Sequence, residues 1–242
     1  MPVSRKATIR DVAREAQVAI STISRYLNGS GYVDAATGQR IASAILTLDY
    51  VPTRAAQTLK SRKSRQVLLV VPDIGNPFYS EMAKVVQAAA RDKGHALVLY
   101  NTNESTAEEL EAIRTAVATQ SDGLILCSIH VREEVVQALQ ASGTKAVLAN
   151  SYENCPFDTV HGVRGAGTLV AMRHLLGLGH KRIAFAGGPA DSETAARRKH
   201  GYRQALTESG IGFDDALCFE MGFSEQAGFK AGKYFAALRT PP

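Results

Sequence analysis

Five side chains near the N-terminus have the chemistry that contact with DNA bases requires. Arg25 can grip the edge of a guanine with two hydrogen bonds, and Ile20 can touch a thymine methyl group. The hydroxyls of Ser21, Thr22 and Ser24 can meet bases or phosphates. Such side chains read DNA when they project together from the start of one helix, so the question is which elements hold them.

The residues before this segment have the spacing of a short helix. Thr8 is a good N-cap, and Asp11 three positions later can return a hydrogen bond to the cap, which is a capping box. Val12, Ala13 and Ala16 then share one apolar face. We therefore predict a first helix that begins after Thr8.

Two further short helices are predicted downstream. The second runs from about Ile20 to Leu27 and stops at Asn28-Gly29, where a residue that tolerates positive φ is needed. The third begins after Asp34. Its buried stripe, at positions i, i+3, i+4 and i+7, consists of Ile41, Ala44, Ile45 and Leu48.

The first two helices and their joint, Gln17-Val18-Ala19, have the spacing of a helix-turn-helix. In that arrangement Ile23 and Leu27 face the core, while the start of the second helix is exposed to the major groove of DNA. Spacing alone leaves an alternative open, because three-helix units that do not contact DNA are common.

The charge of the chain is concentrated at its N-terminus. Residues 1–65 contain 11 Lys and Arg against 4 Asp and Glu, a net charge of +7, whereas residues 66–242 carry −2 of the total of +5. A small basic unit on a nearly neutral body is typical of nucleic-acid binding, because cationic side chains displace the counterions of the phosphates. A solvated basic arm would give the same count.

Residues 50–65 read as an extended segment, a brief helix and a linker. Tyr50-Val51-Pro52 must be extended before the proline, and Arg54–Lys60 has helical composition. Seven residues do not form a stable isolated helix, since nucleation is costly. We therefore expect this helix to be ordered only where something holds it, and the polar basic run Ser61–Arg65 to be a domain boundary.

Beyond Gln66, apolar runs of strand length alternate with amphipathic helices, which predicts a parallel sheet with crossover helices. Sheets of this kind bind ligands at the carboxyl ends of their strands. The predicted strands are Val67–Val71, Ala96–Tyr100, Gly123–Cys127, Ala146–Ala149 and Arg182–Ala186. The predicted helices lie near 78–93, 106–120, 132–141, 166–177 and 194–209.

The N-terminal pattern resembles the head of the lactose-repressor (LacI/GalR) family of transcription regulators. The resemblance runs without a gap through Thr8–Ala16, Val18, Thr22–Arg25, Leu27-Asn28, Asp49–Pro52 and Arg54–Leu59. It implies base recognition by Ile20, Ser21 and Arg25, and contact with the phosphate backbone by Thr8, Thr22, Ser24 and Asn28. It also implies a homodimer on double-stranded operator DNA.

The same resemblance gives the marginal helix a function. In the family, two such hinge helices from a dimer pair in the minor groove, where Leu59 would wedge between base steps and Ala56 would allow close packing. Arg54 and Lys60 complete the predicted DNA-binding set. Core packing is the alternative for Leu59, although its polar neighbours offer little core to join.

Three positions depart from the family pattern in the head. Gln17 stands where glycine is usual, so the tight turn needs positive φ from a larger residue. Ala19 stands where serine is usual, which removes an N-cap worth about 0.5–2 kcal/mol. Gly38 lies inside the third helix at a cost of up to about 1 kcal/mol relative to alanine. We therefore expect a less stable head.

The resemblance continues as a periplasmic-binding-protein-like effector domain, with two α/β lobes around a cleft for a small polar molecule. It is carried by 71–78, 122–125, 178–183, 187–192 and 198–202. The implied effector-binding residues are Arg198, with its rigid fork of donors, and the weaker candidates Asp73, Phe78 and Asn150. A solvated charge is the alternative for Arg198. At Val163-Arg164 the family usually has Asp-Asn, which suggests altered lobe linkage or ligand choice.

Catalytic, metal and cofactor sites are not expected. Gly187-Gly188-Pro189 follows a predicted strand but lacks the remainder of a phosphate-loop motif. Cys127, Cys155 and Cys218 are odd in number, far apart and without close histidines, so neither disulfides nor a zinc site is indicated. No apolar run is long enough to cross a membrane, and we expect a cytoplasmic, nucleoid-associated protein.

The sequence thus predicts an all-α helix-turn-helix head at 1–52, a hinge helix and linker at 53–65, and an effector-binding and dimerisation domain at 66–242. The predicted function is an effector-responsive repressor of carbohydrate or related metabolite genes, with a sugar, sugar acid or nucleobase as effector. A sugar-binding or transport-associated protein without DNA contact is the alternative. Because the resemblance would continue with another strand beyond Pro242, we also expect an effector domain that lacks its C-terminal part.

Overall fold

The computed structural model describes residues 6–51, 63–149, 155–162 and 166–242. Backbone contacts divide the chain into two compact units, Met1–Ser64 and Arg65–Pro242. Most of the predicted hinge at 53–65 lies outside the described residues. No helix in the described ranges is long and apolar enough to cross a membrane.

The described part of the first unit between residues 6 and 51 contains three helices and is called the head. Its helices are α1 Ile9–Glu15, α2 Ile20–Asn28 and α3 Ala35–Thr47. The predicted faces meet in one core, in which the buried residues are Val12, Ala13, Ala16, Ile23, Ile41, Ala44 and Tyr50. The prediction of three helices from apolar spacing is confirmed, with α2 ending one residue later than expected.

The predicted caps at Thr8 and Gly29 are present, and Asp34, after which the third helix was predicted to begin, is its N-cap. Thr8 and Asp11 form the capping box of α1, with 2.9 Å from the Thr8 backbone nitrogen to Asp11 Oδ2. Asp34 caps α3 by accepting a hydrogen bond from the Thr37 amide, which lowers the pKa of that carboxyl below its usual value. Gly29 ends α2 in the left-handed region at φ 59°.

Both atypical turn residues adopt the predicted conformations. Gln17 lies at φ 53°, so the turn between α1 and α2 is made by a non-glycine residue in the left-handed region. Ala19 occupies the N-cap of α2 and makes no side-chain cap hydrogen bond. The head thus folds without a glycine at the left-handed position and without a side-chain N-cap on α2, which are the two features that usually stabilise this turn.

The first part of the second unit alternates strand and helix as predicted. Its elements are β1 Gln66–Val71, α4 Pro77–Asp92, β2 Ala96–Asn101, α5 Thr106–Ala118, β3 Gly123–Leu126, α6 Glu133–Ser142, β4 Ala146–Leu148 and β5 Asp158–Thr159. All strands pair in parallel in the order β2-β1-β3-β4-β5. The two-residue strand β5 was not predicted.

Both faces of this sheet are covered by helices. On one face Leu68, Val70 and Leu126 pack against α5 and α6, and on the other Leu69 and Val71 pack toward α4. Because β1 is buried on both faces, its sequence is a continuous apolar run rather than an alternating one. The β1–α4 connection therefore lies at the carboxyl edge of the sheet, which is where sheets of this kind bind ligands.

A second, smaller sheet follows in the same unit. Its elements are α7 Ala166–Gly177, β6 Phe185–Gly187, α8 Glu193–Glu208, a 3₁₀ helix Asp215–Leu217, β7 Cys218–Glu220 and α9 Glu225–Ala236. Strands β6 and β7 pair in parallel. Tyr202 is the centre of its core: the hydroxyl donates to the Ile183 carbonyl at 2.8 Å and the ring stacks on Phe185.

The predicted strand Arg182–Ala186 is wrong in its first three residues. Strand β6 begins at Phe185, because β7 offers only three partners, which pair with Phe185–Gly187. Arg182 lies before the strand and donates to the Thr240 carbonyl at 2.9 Å. The elements after residue 209, namely the 3₁₀ helix, β7 and α9, were not predicted.

Candidate nucleic-acid interface and ligand cleft

One face of α2 is exposed and carries most of the predicted base-reading residues. Ile20 is 44% exposed, and Ser21, Arg25 and Asn28 are exposed as well, whereas Ile23 on the opposite face is fully buried. A large apolar side chain exposed at the start of a helix, next to hydroxyls and an arginine, suits a DNA groove. Local helix geometry alone places these four residues together.

The other predicted contacts of the head are partly engaged inside the protein. Thr8 uses its hydroxyl in the capping box, at 2.6 Å from Asp11 Oδ2. Asn28 donates from Nδ2 to the Ser24 carbonyl at 2.7 Å and lies 3.2 Å from the Ser24 hydroxyl. Thr22 is half-buried. These side chains are therefore held in fixed orientations. Fixed side chains suit contacts with the phosphate backbone, which position the protein on DNA, better than contacts that must adapt to individual bases.

One exposed aromatic side chain of the head was not among the predicted contacts. Tyr32 is 90% exposed in the connection between α2 and α3, among glycines and serine. The sequence contained a signal for this exposed residue, namely a single aromatic residue in a loop of small residues. The predicted hinge residues Arg54, Ala56, Leu59 and Lys60 lie outside the described residues.

The predicted cleft residues of the β1–α4 connection lie at the carboxyl end of β1. Asp73 accepts the Gly75 amide at 2.8 Å, and Asn76 caps α4 by accepting the Phe78 amide at 3.0 Å. The Phe78 ring is 63% exposed and meets Tyr79 edge to face at 5.1 Å between centroids. This connection thus presents one carboxylate and one open aromatic surface.

Tyr79 follows Phe78 on α4 and was not predicted as a site residue. Burial raises its pKa to about 12, and the charges of Glu104 and Asp73 act in the same direction, while that of Arg198 acts against them. Asp73 and Arg198, far apart in sequence, are therefore within electrostatic range of one phenol. Asn150, the fourth predicted ligand residue, lies outside the described residues.

Arg198 projects from α8 onto an aromatic ring. Its guanidinium carbon lies 5.3 Å from the centroid of Phe223, a cation–π contact that fixes the planar fork of donors. A Cβ at Gly188 would collide with the same ring, so glycine is required there for the aromatic residue to approach. Phe223 was not predicted, since no local motif marks it.

Two loops at the carboxyl ends of β3 and β6 contact each other within the second unit. Arg132 Nη2 lies 3.3 Å from Asp191 Oδ2, His130 Nδ1 lies 3.6 Å from Asp191 Oδ1, and the Ser192 hydroxyl faces the Ile129 carbonyl at 3.5 Å. These contacts join the elements that carry the two sheets. In the described ranges no group of three His, Cys, Asp or Glu is placed to hold a metal ion.

Each of the two units matches a known protein-family model. Residues 8–53 match the model for bacterial regulatory proteins of the lacI family, and residues 64–232 match that for periplasmic binding proteins and the sugar-binding domain of the LacI family. The chain belongs to the LacI family. This LacI-family chain is a sequence-specific DNA-binding transcription regulator with a helix-turn-helix head and an α/β periplasmic-binding-protein-like domain.

Individual relatives agree with the assignment. The chain is 35% identical over 228 residues to catabolite control protein A of Priestia megaterium, covering 93% of this chain and 68% of that protein. It is 30% identical over 237 residues to the transcriptional repressor CytR of Escherichia coli K12, covering 98% and 70%. These relatives are regulators rather than enzymes.

The fold also matches a solved LacI-family structure. The lac repressor dimer bound to operator and the anti-inducer ONPF superposes with a TM-score of 0.80 at 24% identity, over 93% of this chain and 68% of that one. The predicted architecture of a helix-turn-helix head plus a parallel α/β effector domain is thereby confirmed.

Proposed function

We propose that this LacI-family chain is a repressor that binds a pseudo-palindromic operator as a homodimer. The observation that carries the proposal is the exposed face of α2, on which Ile20, Ser21 and Arg25 project away from the buried Ile23. A two-fold dimer would place two such faces on half-sites one helical turn apart, which predicts a palindromic site. Thr8, Thr22, Ser24 and Asn28 would set the register on the phosphates.

The proposal includes the hinge. Residues Arg54, Ala56, Leu59 and Lys60 would meet the minor groove, with Leu59 between base steps, because a seven-residue helix needs a partner to be ordered. A regulator of this kind acts on chromosomal DNA, so we place it in the cytoplasm with the nucleoid. It acts by binding, without catalysis and without a cofactor.

Selection from a randomised duplex library tests the DNA proposal. The full chain, incubated with the library and recovered with bound duplexes over several rounds, is expected to enrich a sequence with two-fold symmetry. Enrichment without a shared sequence would show binding through charge alone and would contradict the operator proposal.

We further propose a small polar effector, such as a sugar, sugar acid or nucleobase, in the cleft lined by Asp73, Phe78, Asn150 and Arg198. Support comes from the sugar-binding description of the matched family and from the shared electrostatic range of Asp73 and Arg198. Binding there would shift the population between DNA-bound and released states, and the genes controlled would serve carbohydrate or related metabolism.

The arginine is the residue that tests the effector proposal. A thermal-shift screen against sugars, sugar acids and nucleobases is expected to find a stabilising ligand for the parent chain. Arg198→Ala should lose that stabilisation and the ligand-induced change in operator affinity, because the fork of donors is gone, while operator binding without ligand stays the same.

Arg173→Ala is the matched control for this test, since Arg173 is an exposed arginine of α7 that pairs with Glu208. It should respond to ligand as the parent does. An unchanged ligand response in Arg198→Ala would reject the assignment of Arg198.

A further inference from the structure

The chain turns back along α2 where that helix ends. Gly29, in the left-handed region at φ 59°, donates from its amide to the Tyr26 carbonyl at 3.4 Å. The Ser30 amide donates to the Arg25 carbonyl at 3.2 Å. These two hydrogen bonds form a Schellman motif, a common ending for a helix that stops at a left-handed glycine. The motif brings the next residue, Gly31, beside the side chain of Arg25.

Gly31 leaves room for the aliphatic stem of Arg25. A Cβ at Gly31 would lie 3.3 Å from Arg25 Cδ and 3.7 Å from Cγ, and apart from its chain neighbours it would meet no other described atom within 4 Å. The shorter distance is below the ordinary contact distance between carbon atoms, so a side chain at this position would displace the stem. The backbone of Gly31 is not left-handed and therefore does not itself require glycine. The constraint on residue size comes from Arg25.

The guanidinium of Arg25 is available to a partner outside the chain. Arg14 pairs with Asp11 Oδ1 at 2.9 Å, and Arg40 Nη2 lies 3.2 Å from the Thr37 hydroxyl. Arg25, by contrast, has no ion pair and no side-chain hydrogen bond within residues 6–51 or elsewhere in the described ranges. A long side chain without a partner loses conformational entropy when DNA fixes it. Contact with the backbone at Gly31 restricts the stem before DNA binds.

We propose that Gly31 is a positioning residue for base recognition by Arg25. Its bare backbone forms a wall for the Arg25 stem, which directs the guanidinium away from the exposed face of α2 toward a base edge. A two-bond contact with guanine depends on that direction, and a stem oriented in advance loses less entropy on binding. This inference rests on the proposed function, because it requires Arg25 to read a base.

A double-mutant cycle tests the proposal. The parent chain, Gly31→Ala, Arg25→Ala and the double variant are titrated with the operator recovered by selection and with a shuffled duplex. Gly31→Ala should weaken operator binding by about three- to tenfold, as expected for a side chain pushed off its rotamer, and leave the affinity for the shuffled duplex unchanged. In the Arg25→Ala background the same substitution should have no effect, because no stem is left to displace.

The base preference gives a readout that a purely structural role of the loop would not change. Selection from the randomised library is repeated with Gly31→Ala and with the bulkier Gly31→Val. The preference should relax at the guanine that Arg25 contacts, more in the valine variant than in the alanine variant, and stay the same at the other positions. Ser30→Ala is the matched control, since it adds no atom beside Arg25 and should keep the preference of the parent.

Folding of the variant is measured separately. Thermal unfolding of the head should occur at or slightly above the temperature of the parent in Gly31→Ala, because alanine at a position without positive φ restricts the unfolded chain. Weaker operator binding by a head of undiminished stability therefore reports on Arg25 and not on unfolding.

The outcomes of the cycle separate this inference from the proposed function. Equal effects of Gly31→Ala with and without Arg25 would overturn the positioning role, and so would parent-like operator affinity in Gly31→Ala. If Arg25→Ala weakens operator binding but the two substitutions do not couple, the inference fails and the proposed recognition by Arg25 stands. If Arg25→Ala binds the operator as tightly as the parent does, the proposed recognition by Arg25 fails together with the inference.

Discussion

The two units of this regulator assemble their sites over very different distances along the chain. In the head, the candidate DNA-reading residues lie on the single helix Ile20–Asn28, oriented by helices directly before and after it. In the effector unit, the candidate ligand-site residues Asp73 and Tyr79 belong to the first crossover, whereas Arg198 lies on α8 and Phe223 follows β7. The first site depends on local helix geometry, and the second depends on the packing of a whole parallel fold.

The largest expected effect tests whether the two units are independent. Ile23→Ala opens a cavity in the core of the head and should lower its free energy of unfolding by about 2–5 kcal/mol, while the effector unit keeps its stability. Leu126→Ala should instead destabilise the effector unit and leave the stability of the head unchanged, since Leu126 lies in the core of the first sheet. Denaturant unfolding followed by NMR signals from each unit measures both, and a loss in both units from one substitution would contradict independence.

The next effect concerns specificity in the head. Arg25→Ala should weaken binding to the selected operator by about 5- to 150-fold, which corresponds to the 1–3 kcal/mol of a bidentate contact with guanine. Affinity for unrelated DNA should change little. Arg40→Ala is the matched control, because Arg40 is an exposed arginine of α3 that contacts Thr37. Equal losses on operator and unrelated duplexes would make Arg25 a phosphate contact instead.

A smaller effect tests the atypical turn. Ala19 has the extended backbone of an N-cap, at φ −65° and ψ 149°, but no side chain to accept a hydrogen bond. Ala19→Ser should therefore stabilise the head by about 0.5–2 kcal/mol. Thermal or denaturant unfolding of the head measures the gain, and Ala19→Val serves as a control that cannot cap. If the serine variant is no more stable than the parent, the missing N-cap at Ala19 does not limit the stability of the head.

The smallest effect concerns the glycine inside α3. A Cβ at Gly38 would lie 3.4 Å from Cε2 of Tyr26, an ordinary contact distance, and its backbone is not left-handed. Gly38→Ala should therefore raise the stability of the head by up to about 1 kcal/mol, because alanine is the better helix former. The matched control is Gly29→Ala, which should destabilise the head, since Gly29 lies at φ 59°. A loss of stability in Gly38→Ala would show that Tyr26 cannot adjust.

The contrast between the units also explains what the sequence could predict. The caps at Thr8 and Asp34, the left-handed Gln17 and the core stripe at Ile41 follow from signals within a few residues, and the structure has each of them. The parallel pairing of the strands in the first sheet follows from the alternation of strand and helix. These features need no knowledge of distant contacts.

The remaining features depend on contacts between distant residues. Phe223 lies against Arg198 and Gly188 only because β6 and β7 pair, and β7 is a three-residue strand without a pattern of its own. The start of β6 was placed too early for the same reason, since its length is set by its partner. Tyr79 was missed because its burial and its charged neighbours come from separate loops and α8.

Sequence-specific recognition is measured by the ratio of affinities for two duplexes, the operator recovered by selection and a shuffled version of equal composition. Titrations at several salt concentrations should give a specific affinity on the order of a thousandfold or more above that for the shuffled duplex, with both affinities falling as salt rises. Equal affinities for the two duplexes at every salt concentration would contradict sequence-specific recognition by α2.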